Sequence, residues 1–230
     1  MFYEPDKNNH GLPRNPYKSI VIPRPIGWIS TLGKDGSTNL APFSQFNNLG
    51  YDPPYVMFSA SARDETGAMK DSVRNAIDTG EFVANMATYE LRDAVNTTSQ
   101  PHPPGVDEFK IAGLEKEPSR LVKPPRVKAS PVHLECVYHS CVVLPGNSLI
   151  NITHVVIGKV IGVNIRDEVI GADGKIDVLK FKPLARLGYL DYTAVERVFT
   201  LDMTGPEAER MRAGMGGEAK GIRPGRRAVG

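Results

Sequence analysis

The sequence predicts a mainly β protein with few helices, its strands paired antiparallel and closed into a barrel. Three observations carry that expectation. The 230 residues include 22 glycines and 19 prolines, a generous supply of turn formers for a chain that reverses often. Seven or more short apolar runs stand against only two stretches with helical spacing. These elements do not alternate as β-α-β-α, which disfavours a parallel doubly wound sheet; closure removes the edges of a many-stranded antiparallel one.

Residues 1–19, MFYEPDKNNHGLPRNPYKS, are polar and proline-punctuated and read as an N-terminal arm ahead of one domain, 20–202. In SIVIPRPIGWISTLGKDGSTNLAPFSQFN two extended runs flank Gly33-Lys34-Asp35-Gly36, a tight-turn tetrapeptide. YVMFSAS supplies a third strand. In ARDETGAMKDSVRNAIDTGE, residues Ala68, Met69, Val73, Ala76 and Ile77 recur at helical spacing, and Gly80 is the stop signal. FVANMAT returns to strand. YELRDAVNTTSQ predicts a short helix with Thr88 as N-cap and Leu91, Ala94 and Val95 on one face.

Prolines and charges dominate residues 101–131, where a central strand is excluded because proline cannot donate to the ladder. This stretch reads as an ordered excursion anchored by Phe109, Ile111, Leu114, Leu121 and Val122. Two long strands follow, VHLECVYHSCVVL and LINITHVVIGKVIGVNI, joined by Pro145-Gly146-Asn147-Ser148. RDEVIGADGKIDV is a loop turning at Asp173-Gly174, and YLDYTAVERVFTLDM closes the domain as strand. Residues 203–230 form a Gly/Arg-rich tail that composition marks as disordered.

Hydrophobic content of 40% and charged content of 23% are those of an ordinary globular chain. No apolar run approaches the roughly 18 residues of a membrane-spanning helix. The polar N-terminus lacks the pattern of a signal or transit peptide, so a cytoplasmic location is expected. The net charge of +2 is misleading: the tail from Gly205 holds six basic and three acidic residues, leaving 22 basic against 23 acidic elsewhere. No nucleic-acid-binding face is therefore expected on the body. Cys136 and Cys141, five apart on one strand, are expected on opposite faces, too distant for a disulfide. His133, His139 and Cys141 would share a face, but a fourth ligand and a known spacing are lacking, so no metal site is expected.

No dinucleotide fingerprint, Walker loop, zinc-protease helix or nucleophile elbow occurs. Small hydroxyl and amide groups cluster at strand ends: Ser30 and Thr31, Asn39, Ser44, Asn47, Ser59, Ser61. Arg63, Lys70 and Arg74 lie close behind, next to the start of a helix. Donors, cations and a helix N-terminus make a phosphate site; hydroxyls at turns beside solvated cations are the alternative. Trp28, the one tryptophan, is either core filler or a flat neighbour for a flat ligand.

RPIGWISTLGKDGSTNLAPFSQFN, then DPPYVMFS, KDSVRN, TGEFVANMAT, PPGVDEF, SRLVKPPRVKASPVHLEC, HVVIGKV and PLARLGYLDY, closely resemble in order the flavin reductase-like family of FMN-binding split-barrel proteins. The resemblance implies a Greek-key split β-barrel, non-covalent FMN and a homodimer with the flavin near the subunit interface. It sets Trp28, Ser30 and Thr31 beside the flavin. Asn39, Ala41, Pro42, Phe43, Ser44, Phe46 and Asn47 would line the isoalloxazine, and Ser59, Ser61, Arg63, Lys70, Asp71 and Ser72 would hold ribityl and phosphate. His154 corresponds to a histidine near the flavin; Arg186 and Tyr189 lie in a family motif less directly tied to it. No protein acid or base is assigned, because hydride transfer from NAD(P)H to flavin needs no protein nucleophile. The implied activity is NAD(P)H-dependent flavin reduction, with a small-molecule acceptor or a partner oxygenase downstream. The alternative is a flavin carrier without its own NAD(P)H oxidation.

Overall fold

The computed structural model describes residues 1–103, 105–202, 204, 205 and 208. Its strands, in chain order, are β1 (Arg24–Pro25), β2 (Gly27–Leu32), β3 (Thr38–Phe43), β4 (Phe46–Tyr51), β5 (Pro54–Ser61), β6 (Glu81–Met86), β7 (Lys116–Glu117), β8 (Arg126–Val127), β9 (Val132–Leu144), β10 (Thr153–Ile165), β11 (Leu184–Gly188) and β12 (Asp191–Ala194). The helices are α1 (Asp71–Thr79), α2 (Arg92–Thr97), α3 (Glu108–Ile111) and α4 (Val178–Phe181). Seven strands form one antiparallel sheet in the order β3-β2-β6-β9-β10-β5-β4, a second sheet runs β1-β11-β12, and β7 pairs with β8. The mainly β expectation holds.

Local chemistry explains the main joints. Gly36, at φ 83°, closes the β2–β3 turn, and the Ser37 hydroxyl and amide donate to Asp35 Oδ1 at 2.6 and 3.0 Å. Gly80, at φ 77°, ends α1 in the left-handed conformation, its amide donating to the Ala76 carbonyl at 3.1 Å. The helix begins at Asp71, later than the apolar spacing from Ala68 predicts. Thr88 occupies the cap of a short 3-10 turn, Tyr89–Leu91, that precedes α2, but its side chain makes no capping bond.

The core lies on both faces of β2. Ile29 joins Phe43, Phe58, Val73, Phe82 and Val156 inside the barrel, with α1 packed against β2, β6, β3 and β9. On the other face Trp28 joins Ile26, Leu40, Val95, Phe109 and Leu184. The 101–131 excursion is ordered, as expected, but of its predicted anchors only Phe109, Leu114 and Val122 bury; Ile111 and Leu121 are 48% and 59% exposed. Leu121 lies flat over Gly162 on the surface, where an added Cβ would stand 3.2 Å from it.

Four expectations need correction. β4 is a strand of its own, hairpinned to β5, although Asn47, Asn48 and Leu49 break its alternation; it is an edge strand with a register shift between Asn48 and Gly50. Leu184–Gly188 is strand, and the predicted closing strand reduces to Asp191–Ala194 among the described residues. Val178–Phe181, which starts at the last residue of the predicted loop, is a helical turn capped by Asp177. Finally, Cys136 and Cys141 do not face opposite ways: both pack on the barrel core, because a bulge at His139 inserts an extra residue between the Tyr138–Gly158 and Ser140–Ile157 pairs and reverses the alternation.

Met1–Glu196 forms one contact unit and Arg197–Gly230 a second. The arm 1–19 belongs to the first unit, where the Ser19 hydroxyl donates to the Leu187 carbonyl at 3.3 Å. The tail 203–230 lies outside the described residues except for 204, 205 and 208.

Candidate functional site

β3 is an edge of the seven-stranded sheet, and that position accounts for its odd composition. The Leu40 amide points away from β2 and donates to Glu108 Oε2 at 3.1 Å. Two residues on, Pro42 points the same way and has no donor to leave unpaired, so proline is tolerated there. Ala41 pairs with Ile29 and Phe43 with Gly27, which fixes the strand against β2. Phe43 stacks on Phe58 in the core, ring centroids 5.1 Å apart, while Phe46 packs over Gly27, where a Cβ would stand 2.4 Å from its ring. Between these anchors Ser44 is half-buried and the Gln45 carbonyl accepts from the Ser59 amide at 2.9 Å; Asn47, just past Phe46, is exposed. The β3–β4 corner is thereby held against the end of β5.

The chain leaves β5 at Ser61, which is exposed, passes Arg63 and enters α1 at Asp71. Lys70 occupies the cap and makes no side-chain capping bond. The amides of Asp71 and Ser72 have no acceptor within the helix, because the first intrahelical donors are Val73 and Arg74 to the Lys70 carbonyl, both at 3.0 Å. Arg63 forms an ion pair with Asp71, which holds the guanidinium beside those open amides. Ser72 is buried and accepts from Asn39 Nδ2 at 2.7 Å, tying α1 to β3. Open amides, the Arg63 guanidinium paired to Asp71 and the exposed Lys70 side chain belong to one helix start, a set of groups that suits a phosphate.

His154 lies on β10 opposite Ala60 of β5 and is 4% exposed. Its Nδ1 is buried without a hydrogen-bond partner among the described residues. Such an atom fits a ligand with a polar edge.

Three expected flavin neighbours are wholly buried, and their side chains are committed elsewhere. Trp28 Nε1 donates to Thr98 Oγ1 at 2.9 Å, and the Ser30 hydroxyl donates to the Pro125 carbonyl at 2.6 Å. Thr31 Oγ1 accepts from Asn75 Nδ2 at 3.1 Å. Their cross-strand pairs carry β3. Arg186 donates to the Tyr189 carbonyl and the Tyr192 hydroxyl, holding the β11–β12 turn in which Tyr189 sits at φ 47°. His133 is buried with its ring nitrogen 2.8 Å from the Val127 carbonyl; burial pushes its pKa down despite that bond. His139 stands exposed against the Tyr55 ring. No group of three or more possible metal ligands forms among the described residues.

Two supporting residues escaped the sequence reading. Asn75 follows Asp71 by one helical turn, a spacing that could have placed it on the same face. Glu108 comes from a proline-rich stretch where no periodicity points to the β3 edge.

A family model described as a flavin reductase like domain matches residues 19–185. An uncharacterized protein of Aquifex aeolicus is 40% identical over 169 residues, 74% of this chain and 83% of its own. The crystal structure of nitrilotriacetate monooxygenase component B from Bacillus cereus matches with a TM-score of 0.78 at 29% identity, over 87% of this chain and 98% of that one. A protein with a split barrel domain from Shewanella frigidimarina matches with a TM-score of 0.74 at 23% identity, over 89% and 100%, a likeness of fold. The extent of the family match and the shared split-barrel architecture place this chain in the flavin reductase-like family.

Proposed function

We propose that the chain is an FMN-dependent oxidoreductase in which NAD(P)H reduces bound flavin and the electrons pass to a separate acceptor. The observation that carries this reading is the uncapped N-terminus of α1, with open amides at Asp71 and Ser72 and Arg63 fixed beside them. When bound, FMN supplies the redox chemistry. This chain's residues bind and orient it: Arg63, Lys70 and the first turn of α1 toward the phosphate, Ser59 and Ser61 toward the ribityl chain. Ser44 and Asn47 flank the ring, and His154 Nδ1 is offered to its polar edge. Asp71 repels an anion at this position, and its pairing with Arg63 offsets that charge.

Two further features extend the reading. On the outer face of the sheet Val142 is 48% exposed and its β10 neighbour Val155 is half-buried; Leu144 and Leu149 nearby are 48% and 54% exposed. This apolar surface begins beside Ser61 and supports a homodimer whose interface adjoins the cofactor. The likeness to a monooxygenase component supports a partner oxygenase as acceptor.

Anaerobic mixing of FMN-loaded protein with NADH and with NADPH tests the activity. Loss of flavin absorbance with stoichiometric loss of reduced nicotinamide is expected. Bound flavin that stays oxidised with both donors would leave the carrier reading.

A further inference from the structure

Residues 116–127 form a two-stranded ribbon, β7 paired with β8, that lies on the seven-stranded sheet without joining its ladder. Side chains of the sheet fasten it by reaching its backbone. The Ser30 hydroxyl of β2 donates to the Pro125 carbonyl at 2.6 Å. From β6, Asn85 Oδ1 accepts from the Val127 amide and Glu81 Oε2 from the Lys123 amide, both at 2.8 Å. From β9, Glu135 accepts from the Arg120 and Leu121 amides, and His133 Nε2 lies 2.8 Å from the Val127 carbonyl. Val122 and Val127 add apolar burial.

Among these fastenings, imidazole is the group that changes charge nearest to neutral pH. A carbonyl only accepts, so Nε2 carries the proton and Nδ1 is the bare nitrogen of the neutral ring. Nδ1 is buried without a hydrogen-bond partner among the described residues, and His133 is 2% exposed. A proton added at Nδ1 would make an N–H with no acceptor on a ring shut off from water. Arg126 and Glu117 face the ring from the ribbon and Arg166 from just past β10, while Glu135 follows two residues along β9. The two carboxylates are already engaged. Glu117 pairs with Arg126 at 3.1 Å, and Glu135 takes the Arg120, Leu121 and Asn164 donors. Burial, reinforced by Arg126 and Arg166, outweighs the Val127 carbonyl and Glu117 and holds the ring below the ordinary histidine value.

We infer that His133 makes the β7–β8 ribbon a proton-sensitive flap, held on the sheet by the neutral ring and released when the ring is charged. Closed, the flap leaves the second proton no partner; open, it lets water hydrate the imidazolium. The charged form therefore favours the open state. Closure is at full strength above about pH 6.5 and weakens as pH falls below it. Carboxylates titrate near about pH 4, so the interval from about pH 7.5 to 5.5 reads the ring rather than the acids.

Hydrogen exchange of the full chain, corrected for the intrinsic rate at each pH, measures the opening. From about pH 7.5 to 5.5 the opening equilibrium at the Arg120, Leu121 and Val127 amides should rise about threefold to tenfold. The Gly80 amide, which closes α1, should stay level. His133→Gln keeps a donor for the Val127 carbonyl and takes up no proton, so its ribbon should open equally across that interval. If the variant does not fold, the nitrogen chemical shifts of the wild-type His133 ring decide. They should show the proton on Nε2 alone at neutral pH, and Nδ1 should gain its proton in step with the faster exchange. A level opening equilibrium in the wild type, a rise that persists in His133→Gln, or a neutral ring protonated at Nδ1 would each overturn the proposal.

Discussion

Arg63 shows how one side chain serves both fold and proposed chemistry. Its ion pair with Asp71 is one-third exposed on either side and contributes little to stability. Its position beside the open α1 amides matters more. Replacing Arg63 and Lys70 together by alanine should weaken FMN by roughly 1–3 kcal/mol, several-fold to hundreds-fold, by fluorescence quenching titration. Unchanged affinity would move the phosphate elsewhere. Glu108 offers a separate test of the β3 edge. Burial raises its pKa above the ordinary glutamate value, against the lowering effect of the Leu40 amide. The folded state thus prefers the neutral acid, and stability is lost as pH rises above about 4.5. Glu108→Gln keeps an acceptor for Leu40 without the charge. The variant should melt higher than wild type at neutral pH, and the difference should vanish below pH 4.5. A gap that widens on acidification would contradict that sign. At this scale the sequence was informative about types and weak about commitments: Ser30, Thr31 and Trp28 look the same in a string whether their polar atoms face a ligand or Pro125, Asn75 and Thr98.

Elements with a clean period were legible. The apolar spacing of Val73, Ala76 and Ile77 with a glycine stop marked α1, and the long β9 and β10 runs marked the central hairpin. What failed were features that break a period. The bulge at His139 leaves no local signature, yet it turns Cys141 to the same core as Cys136. Burial raises both thiols above their usual range. Neither should therefore react with a thiol reagent in the folded protein at the rate of an exposed cysteine, and both should react on denaturation. Fast native labelling of Cys141 would mean that strict alternation holds and the bulge is wrong. The excursion's anchor was likewise hidden. Glu135, fully buried on β9, accepts from the Arg120 and Leu121 amides at 3.0 and 2.6 Å and from Asn164 at 2.7 Å. Burial raises its pKa, but these donors outweigh burial and bring it below the ordinary value. Glu135→Gln should cost about 1–3 kcal/mol and speed hydrogen exchange at Arg120 and Leu121. Unchanged exchange there would remove its anchoring role.

For the molecule as a whole, the joint order of segments carried more than any one motif, because a cofactor site of the proposed kind, assembled from strand ends, has no compact signature. The edge position of β3 explains the proline and small polar groups that spoil it as a central strand. The proposed dimer predicts that Leu144→Glu, on the exposed apolar surface, shifts the mass by light scattering from two copies to one. A wild-type monomer would discard the interface. The central claim, that α1 presents its first amides and Arg63 to the phosphate of FMN, is tested most directly by amide chemical shifts on titration. Addition of FMN should produce its largest shifts at Asp71 and Ser72 and at the Arg63 Nε proton. Shifts confined to other segments, with the first turn of α1 unmoved, would contradict it.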